Sequence, residues 1–181
     1  MNPESNMNPE STMNPENALN LENTMLAKQI KDSTISSLSD VTQALKDSAQ
    51  HLKESASYVN DDDYVASTLL TIGAEREEVH NHLSELIRDC DGQPATESSF
   101  MCKLRMIWTA MRAALNSGNP TVLLIEAEKA EAALLEQFRN VLSEAANVPL
   151  TVRLNEFYEI LKSGSDRIVS LRNKYECAIN S

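Results

Sequence analysis

The chain has 181 residues, 41% hydrophobic and 24% charged, which is enough for one domain of common size and short for two. Sixteen Lys and Arg against 27 Asp and Glu leave a net charge of −11, which argues against a nucleic-acid binder built on clustered cations and against docking to an anionic membrane surface. Only four Gly, six Pro and a 4% aromatic share argue against turn-rich sheet folds and for an all-α chain.

The N-terminal segment repeats itself with a period of six: Met1-Asn-Pro-Glu-Ser, Met7-Asn-Pro-Glu-Ser, Met13-Asn-Pro-Glu-Asn. Its first 25 residues hold Glu4, Glu10, Glu16 and Glu22, no Lys or Arg, and three of the six prolines, so they contribute −4 and cannot bury a core. This predicts a disordered acidic tail over 1–34, with multivalent docking as its functional reading, ahead of a folded domain over 35–178. No stretch reaches the ~18 apolar residues of a membrane helix, and the start has neither a basic nor an apolar leader region. Cys90, Cys102 and Cys177 are odd in number and form no CxxC pair, so neither a disulfide framework nor a thiolate zinc site is expected. Each reads as a small buried or partly buried hydrophobe, and a reducing cytoplasm as the compartment.

Beyond the tail, four breaks stand out: Asn60-Asp-Asp-Asp63, Asp91-Gly-Gln-Pro94, Ser117-Gly-Asn-Pro120 and Asn147-Val-Pro149. They divide the chain into helix-periodic segments over 35–59, 62–90, 100–116, 120–146 and 149–178. The first carries Leu38, Val41, Leu45, Ser48, Leu52, Ser55 and Val59 at steps of three and four, and the second Val65, Leu69, Ile72, Arg76, Val79, Leu83, Leu86 and Cys90. Leu124, Ala127, Glu131, Leu134, Phe138, Val141 and Ala145 do the same in the fourth, and Leu150, Leu154, Phe157, Leu161, Gly164, Ile168, Leu171 and Tyr175 in the last. Seams of this kind predict four long helices packed side by side in a four-helix bundle. The links between first and second and between fourth and fifth segments are short and predict antiparallel hairpins. Between the hairpins lies a long crossover with its own short helix, whose stripe of Met101, Leu104, Trp108, Met111 and Leu115 packs on an end or side of the bundle. Trp108 and the three methionines, Met101, Met106 and Met111, are expected in the core.

Aligned at their midpoints, the four seams share one polar layer: Ser48, Arg76, Glu131 and Ser165, with Gly73 and Gly164 beside it. Glycine inside a helix costs about 1 kcal/mol relative to Ala, so two of them facing a core need a packing or ligand reason. Arg76 and Glu131 are expected to be bidentate partners, with Ser48, Ser165, His51 and His80 as further hydrogen-bonding groups.

Leu45-Lys-Asp47 with Ala56, Arg76 followed by His82-Leu83, Asp91-Gly-Gln-Pro, the Trp108 helix, Glu128 and Glu131 with Phe138, and Ser165-Asp166-Arg-Ile168 with Leu171 together resemble an uncharacterised bacterial family of ferritin-like four-helix bundles, a domain of unknown function. The resemblance covers about 35–176. It implies an up-down bundle with a long crossover between the second and third long helices, and a di-iron ancestry in which two helices give a Glu and two give Glu-x-x-His. Here Glu77-x-x-His80 is the sole such motif; the last helix places Lys162-x-x-Ser165 at mid-level, and no His follows His82. A complete di-iron centre is therefore not expected. A role in bacterial stress physiology follows from the broad ferritin-like group by analogy alone.

The resulting expectation is a non-catalytic binding or scaffold bundle without a cofactor, whose polar layer replaces the metal centre and whose partner is another protein or a second copy. An alternative is an iron- or zinc-binding oxidase or iron-handling protein using His51, Glu77, His80 and Glu131. A third is a small-ligand bundle with a pocket left by Gly73 and Gly164. His82 reads as a surface residue. Neither a nucleophilic triad nor a phosphate-cradling loop is readable.

Overall fold

The computed structural model describes residues 32–59, 63–89, 99–116, 119–145 and 150–179. The described residues form five helices and no strand: α1 (Asp32–Tyr58), α2 (Asp63–Asp89), α3 (Ser99–Asn116), α4 (Pro120–Glu144) and α5 (Thr151–Ile179). The repeats over 1–31, Cys90 and the breaks around Pro94, Gly118 and Pro149 lie outside them. None of the five helices is long and apolar enough to cross a membrane.

The ends follow local chemistry where the chain spells it out. Asn119 caps α4, its side-chain oxygen accepting from the backbone N–H of Thr121 at 2.9 Å and of Val122 at 3.4 Å, and Pro120 takes the first helical position, where no N–H is needed. At the other end α4 stops at Glu144, two residues short of the expected 146, with Ala145 as C-cap. The first helix starts at Asp32 rather than 35, and Thr34 and Ile35 are already buried in its first turns. The expected boundary between residues 34 and 35 therefore cuts through α1.

Packing follows the apolar seams. α1 lies against α2 and α4, and α5 against the same two, so these four close a ring; α3 lies on the outside against α1 and α4. Cross-helix contacts give the directions. Ser37 meets Glu144 and Ser48 meets Glu131, so α1 and α4 are antiparallel. Thr42 meets His80 while Lys53 meets Glu77, so α1 and α2 are antiparallel too. The same holds for α2 with α5, through Tyr64 with Lys174 and His82 with Phe157, and for α4 with α5, through Glu128 with Arg172 and Phe138 with Tyr158. α3 runs parallel to α1, since Trp108 sits beside His51 and Arg112 beside Glu54. α2 and α4 consequently point the same way from opposite corners of the ring.

Expectations for four residues change. Met106 is 68% exposed, whereas Met101, Trp108 and Met111 are buried as expected. The reason is angular: on a helix of 100° per residue, position 106 lies on the face opposite the Leu104–Trp108–Met111 stripe. Cys102 and Cys177 stand on exposed positions rather than as buried or partly buried hydrophobes. His82 is partly covered, its ring stacked on Phe157 at 5.7 Å between centroids.

Candidate functional site

One level of the core holds a buried ion pair. Arg76 on α2 and Glu131 on α4 are 0% and 1% exposed, and all around them the core is Leu, Ile, Val, Phe and Ala. The guanidinium Nη2 of Arg76 donates to Glu131 Oε2, and also to the backbone carbonyl of Leu161 on α5 at 2.9 Å. The second carboxylate oxygen, Glu131 Oε1, accepts from Ser48 Oγ on α1 at 3.1 Å. A single chain of hydrogen bonds, Ser48 to Glu131 to Arg76 to Leu161, thus joins α1, α4, α2 and α5 across the middle of the ring.

The burial of Arg76 depends on Gly164. A Cβ added there would stand 2.6 Å from Arg76 Nη2, 3.2 Å from its Cζ and 3.1 Å from Ile72 Cγ2. The missing side chain also leaves the Leu161 carbonyl, one turn earlier, open to the guanidinium; a carbonyl has two lone pairs and can serve its helix and a second donor together. The space at Gly164 is therefore filled by the arginine, which corrects the expectation of a ligand pocket at that position. Gly73 acts differently. Its added Cβ would lie 3.3 Å from the Ala49 carbonyl oxygen and 3.4 Å from Lys53 Cγ, so its absence lets α1 and α2 approach closely.

Ser48, Arg76, Glu131 and Gly164, which their spacing puts in one layer, meet in the structure. Two details differ. The ion pair is joined through Nη2 alone rather than bidentately, and Arg76 Nε and Nη1 have no acceptor among the described residues. Ser165 is buried but makes no hydrogen bond to the pair, and the Leu161 carbonyl takes the place expected for it. A backbone acceptor leaves no trace in side-chain spacing; its one indirect signal is the glycine three residues later.

The alternative metal set, His51, Glu77, His80 and Glu131, is not assembled. Glu131 is held in the core by Arg76 and Ser48, as above. Glu77 is exposed and bound by Lys53 Nζ at 2.6 Å, a hydrogen bond that holds its carboxyl below the usual 4.5. His80 Nδ1 lies 2.9 Å from the Thr42 carbonyl, which only accepts, so that nitrogen carries its proton in this contact. His51 packs its ring on Trp108 at 5.0 Å between centroids, with Nδ1 3.6 Å from Glu54. Burial pushes its imidazole below the ordinary 6.5, Arg112 adds to that, and Glu54 and Asp47 oppose it. Glu77 and His80 do share a surface groove of about 390 Å³ between α1 and α2, but Lys46 and Lys53 line it as well. Among the described residues no three His, Cys, Asp or Glu side chains are grouped to hold a metal ion. A metal at the central level would also meet a guanidinium that stays protonated, so these residues do not fit a di-iron centre.

No curated protein and no solved structure matches the chain. A family model does, over residues 33–144, which takes in α1 to α4 with both members of the buried pair but stops before Gly164 and the Ser165-Asp166-Arg-Ile168 stretch on α5. On that match the chain belongs to the family described as Domain of unknown function (DUF2383).

Proposed function

We propose that the protein is a non-catalytic binding and scaffold module: a ferritin-like four-helix bundle of α1, α2, α4 and α5, with α3 as an added helix on the crossover. Its central Arg76–Glu131 pair stands where a di-iron relative would hold metal. The ring of antiparallel neighbours supports the architecture, as does the long connection that returns the chain from the end of α2 to the start of a parallel α4. The observation that carries the functional half is the buried ion pair itself. The site's one interior carboxylate is committed to a permanent cation, and the Leu161 carbonyl and Gly164 close the level from α5. A core locked in this way supplies rigidity rather than chemistry. Function then belongs to the outer faces, which present a fixed, mostly acidic surface to a protein partner or a second copy.

The test is metal loading. Protein purified without chelator and incubated with Fe(II) or Zn(II) should retain no stoichiometric metal by elemental analysis and should not accelerate Fe(II) oxidation by oxygen. One or two ions per chain, lost on Glu131→Ala or His80→Ala, would overturn the proposal.

A further inference from the structure

The outer face of α3 is unlike the rest of the molecule. Ser99–Asn116 contains Lys103, Arg105 and Arg112 and no Asp or Glu, a charge of +3 in a chain whose net charge is −11. Its inner stripe packs on α1 and α4. Its outer stripe, Cys102, Met106, Thr109, Ala110 and Ala113, is exposed along the whole helix at steps of three and four, and includes the most exposed buried-type side chain of α3, Met106. Lys103 reaches Glu136 at 3.7 Å on one side and Arg112 reaches Glu54 at 4.0 Å on the other. Both are loose, solvent-exposed pairs of the kind that contribute little and can exchange partners. A basic helix face with an apolar and small-residue centre fits an acidic segment that also carries apolar side chains.

This chain contains such a segment. Residues 1–26 hold four Glu and no Lys or Arg, together with Met1, Met7, Met13, Leu19, Leu21, Met25 and Leu26. Geometry places it within reach. α3 runs parallel to α1 with position 108 beside position 51, so the first turn of α3 lies only ~15 Å along α1 from Asp32, where the described chain begins. A coil of 26 residues has a root-mean-square span of about 28 Å, close to the ~27 Å length of α3. We propose that the outward face of α3 is the docking surface for this chain's own residues 1–26, Glu side chains pairing with Lys103 and Arg112 while methionines cover Met106 and the small residues beside it. The inference does not rest on the core reading and would survive the discovery of a metal.

A nitroxide attached at Ser11→Cys in full-length protein carrying Cys90→Ser, Cys102→Ser and Cys177→Ser tests it. The backbone amides of Met106, Thr109 and Ala113 should relax several-fold faster than those of Leu70 and Ile160 on the far helices. Raising the salt to about 0.5 M, where screening acts within ~4 Å, should abolish the difference, and so should Lys103→Glu/Arg112→Glu. Equal broadening on both faces, or broadening indifferent to salt and to the charge reversal, overturns the proposal. So does broadening that disappears when labelled protein is diluted into an excess of unlabelled protein, because the segment would then be occupying a second copy.

Discussion

Replacing Gly164 by Ala separates a glycine that makes room for the buried cation from one that is merely tolerated. In a helix with nothing opposite, the change stabilises by about 1 kcal/mol, because Gly is the poorer helix former. Here the new methyl would begin 2.6 Å from Arg76 Nη2, the one guanidinium nitrogen that makes both the Glu131 and the Leu161 contacts. Relieving that approach means moving the nitrogen by ~0.8 Å to an ordinary carbon–nitrogen separation, which takes the 2.9 Å bond to Leu161 past useful length. A hydrogen bond to a charged group is worth about 1.5–3 kcal/mol, and breaking a buried pair costs about 3–5 kcal/mol. Set against the propensity gain, Gly164→Ala should destabilise by about 0.5–4 kcal/mol, read as a lower urea midpoint by circular dichroism. In an Arg76→Met background, with no guanidinium to displace, the same substitution should become neutral or stabilising, so the two sites couple strongly in a double-mutant cycle. If Gly164→Ala raises the midpoint of the wild-type protein, the guanidinium does not pack on Gly164 and the account of the layer is wrong.

Arg76→Ala and Glu131→Ala should each cost about 3–5 kcal/mol in the same assay, because each strands the other's charge in the core; a loss below about 1 kcal/mol would place both side chains in water. Arg76→Met with Glu131→Leu should fold with a midpoint equal to or above wild type, since it removes both charges and the two guanidinium nitrogens that have no acceptor; a loss as large as either single change would refute this. Trp108→Ala should cost about 3–5 kcal/mol and speed hydrogen exchange in α3 more than in α2, whereas a uniform change would mean that α3 is not held through this side chain. His51 titrates below 6.5 in the fold, so its contribution is complete above that pH and is lost as pH falls through the folded value. Acidification below 6.5 should weaken the protein and shift Trp108 fluorescence, and His51→Gln should flatten both responses; an unchanged acid slope in the variant would assign it to other groups.

The seams were legible because long side-by-side helices repeat their buried positions at steps of three and four, and Leu38, Leu69, Leu134 and Leu161 all fall inside where that period puts them. The charged layer was legible for the same reason: Arg76 and Glu131 interrupt apolar seams at the same level. What spacing does not carry is which atoms meet. Leu161 enters the layer through its carbonyl, and Gly164 through the absence of a side chain, so neither announces a partner. Thr42 and Ser55 are buried polar residues satisfied locally, by donating to the carbonyls of Leu38 and His51 one turn back. Met106 was misplaced because composition treats every methionine in an amphipathic helix alike, while its angle on the helix puts it outside. His51 and His80 looked like ligands on a list of residue types, but each ring meets a nearer neighbour on another helix, Trp108 or Thr42.

A buried ion pair with two donors lacking acceptors is a poor device for stability, since matched apolar residues would cost less to bury. Its value to this fold lies in what leucine seams leave undecided. Apolar side chains at steps of three and four pack acceptably if one helix slides by a heptad, about 10.5 Å, or if neighbouring helices exchange corners. Arg76 does not. It finds a carboxylate on α4, a free carbonyl lone pair on α5 and room at Gly164 only in the observed register, and Glu131 finds Ser48 on α1 only there. Every competing arrangement strands a charge in the core at a cost of several kcal/mol, so the pair narrows the set of packings by raising the others. The four helices that it ties together are the four of the ring, and α3 is left out. The one helix not tied into the polar chain is also the one whose outer face differs in charge from the rest, which divides the molecule into a register-locked frame and a separately presented surface.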